Sequence, residues 1–117
     1  MTEKIIISEH QEQKIFVSWF ELAYPDKLIF AIPNGGKRNI VTAAKLKAEG
    51  VKAGIPDLFI PEHNVWIEMK RKSKASLSES QKTMIEKLKN CGHVVLVCYG
   101  CDDAILQVTN YLKTKTK

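Results

Sequence analysis

The chain has 117 residues, of which 44% are hydrophobic and 26% charged. That length supports a single domain whose core needs no disulfide staples, and the composition excludes a disordered or fibrous chain. A formal charge of +5 is too small to identify an acidic partner by itself, so the placement of the charges matters more than their sum.

No apolar run approaches the length of a membrane span, and the Met1-Thr-Glu-Lys4 start lacks the apolar centre of a signal peptide. The expectation is an intracellular protein with no membrane partner. Three cysteines, Cys91, Cys98 and Cys101, are an odd count that fits reduced thiols. Cys98 and Cys101 have the spacing of a redox or metal pair. With no second pair, with His93 on the same predicted strand, and with the pair closing a strand instead of opening a helix, they read better as packing thiols.

In chain order, Ser8 and Gln11 have the spacing of a capping box, and the helix they open runs to about Tyr24, where Pro25 stops it. Ile15, Phe16, Trp19, Phe20, Leu22 and Ala23 recur at helical spacing as its buried stripe. Glu9 points near that stripe and Glu12 points inward. Residues 28–32 form an apolar run of strand length, ended by the turn-forming Pro33-Asn-Gly-Gly36. Residues 41–49 favour helix, with Gly50 placed as its C-terminal cap. Two strands follow, 55–60 and 65–69, joined by a hairpin-like connection over 61–64. Residues 76–80 carry helix-start chemistry, with Met84, Ile85 and Leu88 at helical spacing before Gly92. Residues 93–98 read as a buried strand. Asp102 and Asp103 begin a last helix carrying Ala104, Ile105, Val108 and Leu112. The ordered core spans about 8–112 and 113–117 is a basic tail. The order helix, strand, helix, strand, strand, helix, strand, helix predicts an α/β domain over 1–117, a central mixed β-sheet flanked by α-helices.

The chemistry concentrates where polar groups interrupt apolar strands. Asp57 and Glu68, on neighbouring strands and facing one site, would repel one another and raise the pKa of one unless a divalent cation neutralised them. Hard oxygen ligands of this kind suit Mg2+ or Mn2+, and the backbone carbonyl of Met69 is a natural further ligand. Residues two apart on a strand share a face, so Glu68 and Lys70 flank one site while Met69 enters the core. A lysine there can orient a water and stabilise charge developing on a phosphorus centre. Glu9 or Glu12 can complete the acid cluster, and Gln81 can hold the attacking water or a phosphate oxygen. Taken singly, each of these residues also has an ordinary reading, Asp57 as a turn residue or cap for instance. Their ordered combination argues for catalysis.

At these residues the sequence resembles the PD-(D/E)xK nuclease superfamily, with Pro56-Asp57 and Glu68-Met-Lys70 as the halves of its signature. More narrowly, Glu9-His-Gln-Glu-Gln13, Pro33-Asn-Gly-Gly36, Leu46-Lys-Ala-Glu-Gly50, Gly54-Ile-Pro-Asp57, Glu68-Met-Lys70 and Leu77-Ser-Glu-Ser-Gln81 resemble the stand-alone VRR-NUC (virus-type replication-repair nuclease) domains of phages and bacteria, over about residues 8 to 100. The resemblance implies a restriction-endonuclease-like (PD-(D/E)xK) core and metal-dependent phosphodiester hydrolysis. It implies catalytic roles for Asp57, Glu68, Lys70, Gln81 and Glu9, and metal ligation by Asp57, Glu68, the Met69 carbonyl and Glu9 (or Glu12). Family spacing favours Glu9, while helix geometry slightly favours Glu12. The implied setting is the cytoplasm or nucleoid of a bacterial or phage-infected cell. The implied activity is a structure-specific DNA endonuclease, acting as a homodimer on branched DNA, four-way (Holliday) junctions first.

Asn34, Gly35 and Gly36 suggest close approach of backbone to a phosphate, with Lys37, Arg38, Arg71, Lys72 and Lys74 supplying charge. The alternatives are a nuclease on flaps, nicks or ordinary duplex, a catalytically silent DNA-binding module, and a thiol or zinc site at Cys98 and Cys101 with the acids incidental.

Overall fold

The computed structural model describes residues 7–33, 40–72 and 75–115. Its elements are α1 (Glu9–Ala23), β1 (Phe30–Ala31), α2 (Ile40–Ala48), β2 (Leu58–Ile60), β3 (Val65–Lys70), α3 (Glu79–Asn90), β4 (Val94–Tyr99) and α4 (Cys101–Lys113). The order matches the expected one. The sheet runs β1-β2-β3-β4, with β1 and β2 antiparallel, β2 and β3 antiparallel, and β3 and β4 parallel. Among the described residues no helix is long and apolar enough to cross a membrane.

The alternation of β3 divides the molecule into a core side and a site side. Val65, Ile67 and Met69 are all buried, and they join Leu58, Ile60 and Cys98 beneath α1 and α4, which supply Phe16, Phe20, Ala104, Val108 and Leu112. Trp66, Glu68 and Lys70 project from the opposite face. There α3, which connects the parallel strands β3 and β4, lies against β4, with Ile85 and Val95 buried outside the main core cluster. Phe30, Phe59 and Trp66 form a cross-strand aromatic row on this second face, at ring separations of 5.8 and 4.2 Å. The Trp66 indole donates to His93 Nδ1 at 2.8 Å.

Both capping boxes at the starts of α1 and α3 are complete, on Ser8 with Gln11 and on Ser78 with Gln81. α2 ends at Gly50, where Val51 N–H donates to Leu46 O and Gly50 N–H to Lys47 O, the paired bonds of a Schellman motif.

Three expectations need correction. Leu22 is 84% exposed, Ile15 45% exposed, and Ala23 is exposed as well, so the buried stripe of α1 is narrower than its apolar content suggested. It is centred on Glu12, Phe16 and Phe20, and Leu22 lies about 200° around the wheel from Phe20. The strand expected over 28–32 is reduced to Phe30–Ala31, because only this part finds a partner in β2 and Leu28 turns outward. The second strand begins at Leu58 instead of Ile55. Asp57 still gives its carbonyl to the Ile32 N–H at 2.8 Å, but further back the chain runs close against α3: Gly54 has φ +84°, and a Cβ there would collide with the backbone carbonyl of Ser80. Only glycine tolerates both the backbone angle and the close approach.

Gly54 and Gly50 therefore differ in a measurable way. Gly50 also has positive φ, +105°, but nothing lies within 4 Å of its would-be Cβ. Gly50→Ala is expected to cost about 1–2 kcal/mol, from backbone strain alone. Gly54→Ala adds a backbone collision and should cost clearly more in urea denaturation.

Candidate active site

The close approach of Gly54 to Ser80 brings the Pro56-Asp57 segment beside the first turn of α3. From there the Asp57 carboxylate reaches across to β3, where Oδ2 accepts the Met69 backbone N–H at 2.7 Å. The N–H and C=O of one residue leave an extended strand on the same side, so the Met69 carbonyl is directed toward the Asp57 side as well. The Asp57 and Glu68 carboxyls lie near enough to influence each other's protonation.

Glu68 and Lys70 are 2% and 7% exposed, which is rare for charged side chains. Gln81 makes this possible. Its Nε2 donates to Glu68 Oε2 at 3.1 Å, and its Oε1 accepts from Lys70 Nζ at 3.0 Å while also closing the capping box on Ser78 N–H at 2.8 Å. Lys70 Nζ stands 4.0 Å from Glu68 Oε2. Glu68 Oε1 is left buried without a hydrogen-bond partner.

Burial first, then the neighbouring Asp57 carboxylate, push the Glu68 carboxyl up to about 8, against the pull of Lys70. Glu9 adds to the rise through its negative charge. Burial also raises Asp57, opposed by the Met69 N–H. The pair thus favours holding a proton at neutral pH, which a divalent cation would displace.

The two acids of α1 divide. Glu12 is 1% exposed, and its Oε1 accepts the Cys101 N–H at 2.9 Å, at the start of α4, where Gly100 supplies no side-chain cap. A carboxylate suits that helix terminus. Glu9 is exposed and acts on Glu68 through its charge.

Among the described residues, no group of three or more His, Cys, Asp or Glu side chains converges to hold a metal ion. Two carboxylates are nevertheless a fitting donor set for Mg2+, which usually keeps several waters and uses one or two protein carboxylates. The buried Glu68 Oε1, lacking any donor, is the observation that fits a cation.

Arg71 and Lys72 are exposed at the end of β3, Lys72 paired with Asp102 at 3.3 Å. Asn34, Gly35, Gly36, Lys37, Arg38 and Lys74 lie outside the described residues. Contrary to expectation Cys101 does open a helix, α4, but Cys98 and Cys101 are buried free thiols of the core, and burial pushes them up to about 12 and about 11, far from the reactive thiolate a redox site needs.

A mixed four-stranded sheet between helices, with Pro56-Asp57 leading into one strand and Glu68-Met-Lys70 closing the next, defines a nuclease of the PD-(D/E)xK type. The chain belongs to the VRR-NUC domain family, whose match extends over residues 1–102. A solved structure described as a VRR_NUC domain protein is similar to it at 27% identity and a TM-score of 0.77, covering 94% of this chain and 92% of that one. No curated protein matches. The family places the chain among nucleases acting on DNA, a class that generally uses divalent metals.

The buried acids have consequences for stability. In metal-free buffer, the raised Glu68 stabilises the fold fully below its ordinary value of 4.5, and that contribution is lost as pH rises through about 8. Thermal denaturation should therefore show Glu68→Gln gaining stability relative to the parent across that window, since glutamine has no proton to lose. Glu12→Gln, which weakens a buried charge-assisted bond, is expected to cost about 1–3 kcal/mol. Glu9→Gln should stay within about 0.5 kcal/mol of the parent, both read by urea denaturation.

Proposed function

We propose that this protein is a Mg2+- or Mn2+-dependent DNA endonuclease that cuts branched DNA, four-way junctions in particular, as a homodimer. The observation that carries the metal-dependent reading is the buried, unpartnered Glu68 Oε1 beside the Asp57 carboxylate.

Asp57, Glu68 and the Met69 carbonyl would hold the cation, with Glu9 as the acid contributed by α1, since Glu12 is engaged at α4. Bound there, it would supply Lewis-acid polarisation of the phosphodiester and activation of a water. Lys70 directs an ammonium from a nearly dry pocket, and Gln81 fixes its position at 3.0 Å. The protons of Nζ not given to Gln81 are available to a non-bridging phosphate oxygen, where negative charge grows as water attacks phosphorus and the bond to the leaving sugar oxygen breaks. Gln81, joined to both Glu68 and Lys70, keeps the acid and the base at a fixed separation. Arg71 and Lys72 at the end of β3 would take flanking phosphates, and the segment 34–38 with Lys74 would add to that surface.

The dimer and the junction rest on symmetry. A single domain of this size contributes one site, whereas resolving a four-way junction takes two cuts, and a two-fold pair presents two sites at a fixed spacing.

The test incubates the protein with labelled four-way junction, flap, nicked and linear duplex DNA, with Mg2+ or Mn2+. Paired nicking of the junction is expected, with a loss of at least about 100-fold in Lys70→Ala, the scale of removing one preorganised donor, and a comparable loss in Asp57→Asn. Equal cutting of every substrate would remove the junction specificity. Full activity in Lys70→Ala would overturn the assignment of the lysine, and binding with no cutting under either metal would leave a silent DNA-binding module.

A further inference from the structure

α2 has a place in the fold that core packing does not explain. None of its residues is buried, and it packs against no other described helix or strand. Its nine residues end in the Schellman bonds at Gly50 and lead directly into the segment that follows. Between this helix and the first turn of α3 lies a groove of about 680 Å³ whose floor is the segment 51–57. One end of it reaches Asp57 and Gln81.

The lining is of two kinds. Leu46, Val51 and Ile55 give an apolar strip along the groove, and Lys47 and Lys52 stand beside it. Both lysines are exposed, and neither has an ion-pair partner among the described residues. Exposed lysines next to apolar surface suit a ligand with an anionic edge and a hydrophobic body. A volume within the range of about 300–1,000 Å³ holds a drug-sized molecule, enough for one or two nucleotides and far too little for a duplex.

We propose that the groove between α2 and α3 binds a single DNA strand, with Lys47 and Lys52 on its phosphates and Leu46, Val51 and Ile55 against its sugars and bases, and leads that strand to Asp57. Charge complementarity selects this occupant: among the described residues, the only acid in the lining is Asp57 itself, at the end where the site begins. The inference rests on the nuclease reading for its destination, but strand binding in the groove is measurable without cleavage. It also gives α2 a task, that of the outer wall which keeps one strand apart from its complement. A flap supplies such a strand without the cost of opening a duplex, whereas a fully paired four-way junction can offer one only at the crossover, where the strands exchange partners.

The test measures binding of a labelled single-stranded oligonucleotide by fluorescence anisotropy in chelator over a range of salt, with the full chain, the double variant Lys47→Ala/Lys52→Ala, and the control Lys87→Ala/Lys89→Ala at the far end of α3. Cleavage of a flap in Mg2+ is followed in parallel. The groove variant is expected to bind about tenfold or more weakly, and its log-affinity against log-salt slope should fall by about 1.4, at about 0.7 for each phosphate of a single strand that is no longer neutralised. The control should match the parent. Equal weakening in both variants, or none in the groove variant, would overturn the groove. If the parent cuts DNA while the groove variant binds and cuts as the parent does, the groove fails and the nuclease reading stands. If the parent binds without cutting and the groove variant alone loses affinity, the groove stands and the nuclease reading fails. A parent that does not bind single strands overturns the proposal.

Discussion

The placement of two acids and a lysine where strands would ordinarily carry apolar side chains is the constraint around which the site is organised. An isolated charge in that position would cost several kcal/mol. The cost is limited because each group has a partner. Asp57 takes a backbone N–H of β3, Lys70 donates to Gln81, and Glu68 accepts from Gln81. Only one oxygen of Glu68 is left over.

That arrangement needs the start of α3 to sit over the end of β3. The parallel pairing of β3 and β4, with α3 as their connection, carries the helix across, and the absence of a side chain at Gly54 lets the Asp57 segment come up against Ser80. Gln81 then serves twice with one carboxamide, as the capping partner of Ser78 and as the bridge between Glu68 and Lys70. The helix start and the site are therefore one hydrogen-bonded unit. On the other face, Glu12 joins α1 to the start of α4 and ties the helical layer together. Two acids less than one turn apart on α1 thus serve different ends, Glu12 the fold and Glu9 the field around Glu68.

Local signals in the sequence were sufficient for the element order, because caps, prolines and apolar periods are written within short windows. Asp57, Glu68 and Lys70 were legible for a similar reason: polar residues stand out inside apolar runs. What was not legible depends on tertiary contact. The outward turn of Leu22 and the shortness of β1 follow from which neighbours are present, and an apolar residue carries no mark of that. The approach of Gly54 to Ser80, ahead of β2, is likewise a tertiary fact, for which the glycine was the only local sign. The wheel turns Glu12 inward and Glu9 only toward the edge of the stripe, but what Glu12 meets there is a bond to a residue far along the chain. Gln81 was singled out by its position, but its bonds to Lys70 and Glu68 required the fold. Lys47 and Lys52 gave no signal at all, being ordinary exposed lysines until the groove between α2 and α3 is seen.

If Asp57 and Glu68 form a cation site that holds a proton when no metal is bound, metal binding and proton release must be coupled. Isothermal titration of Mn2+ into the protein near neutral pH, repeated in two buffers of different ionisation enthalpy, tests this most directly. Saturable binding accompanied by proton release is expected, with both abolished in Asp57→Asn. Binding that releases no proton, or that persists unchanged in Asp57→Asn, would contradict it.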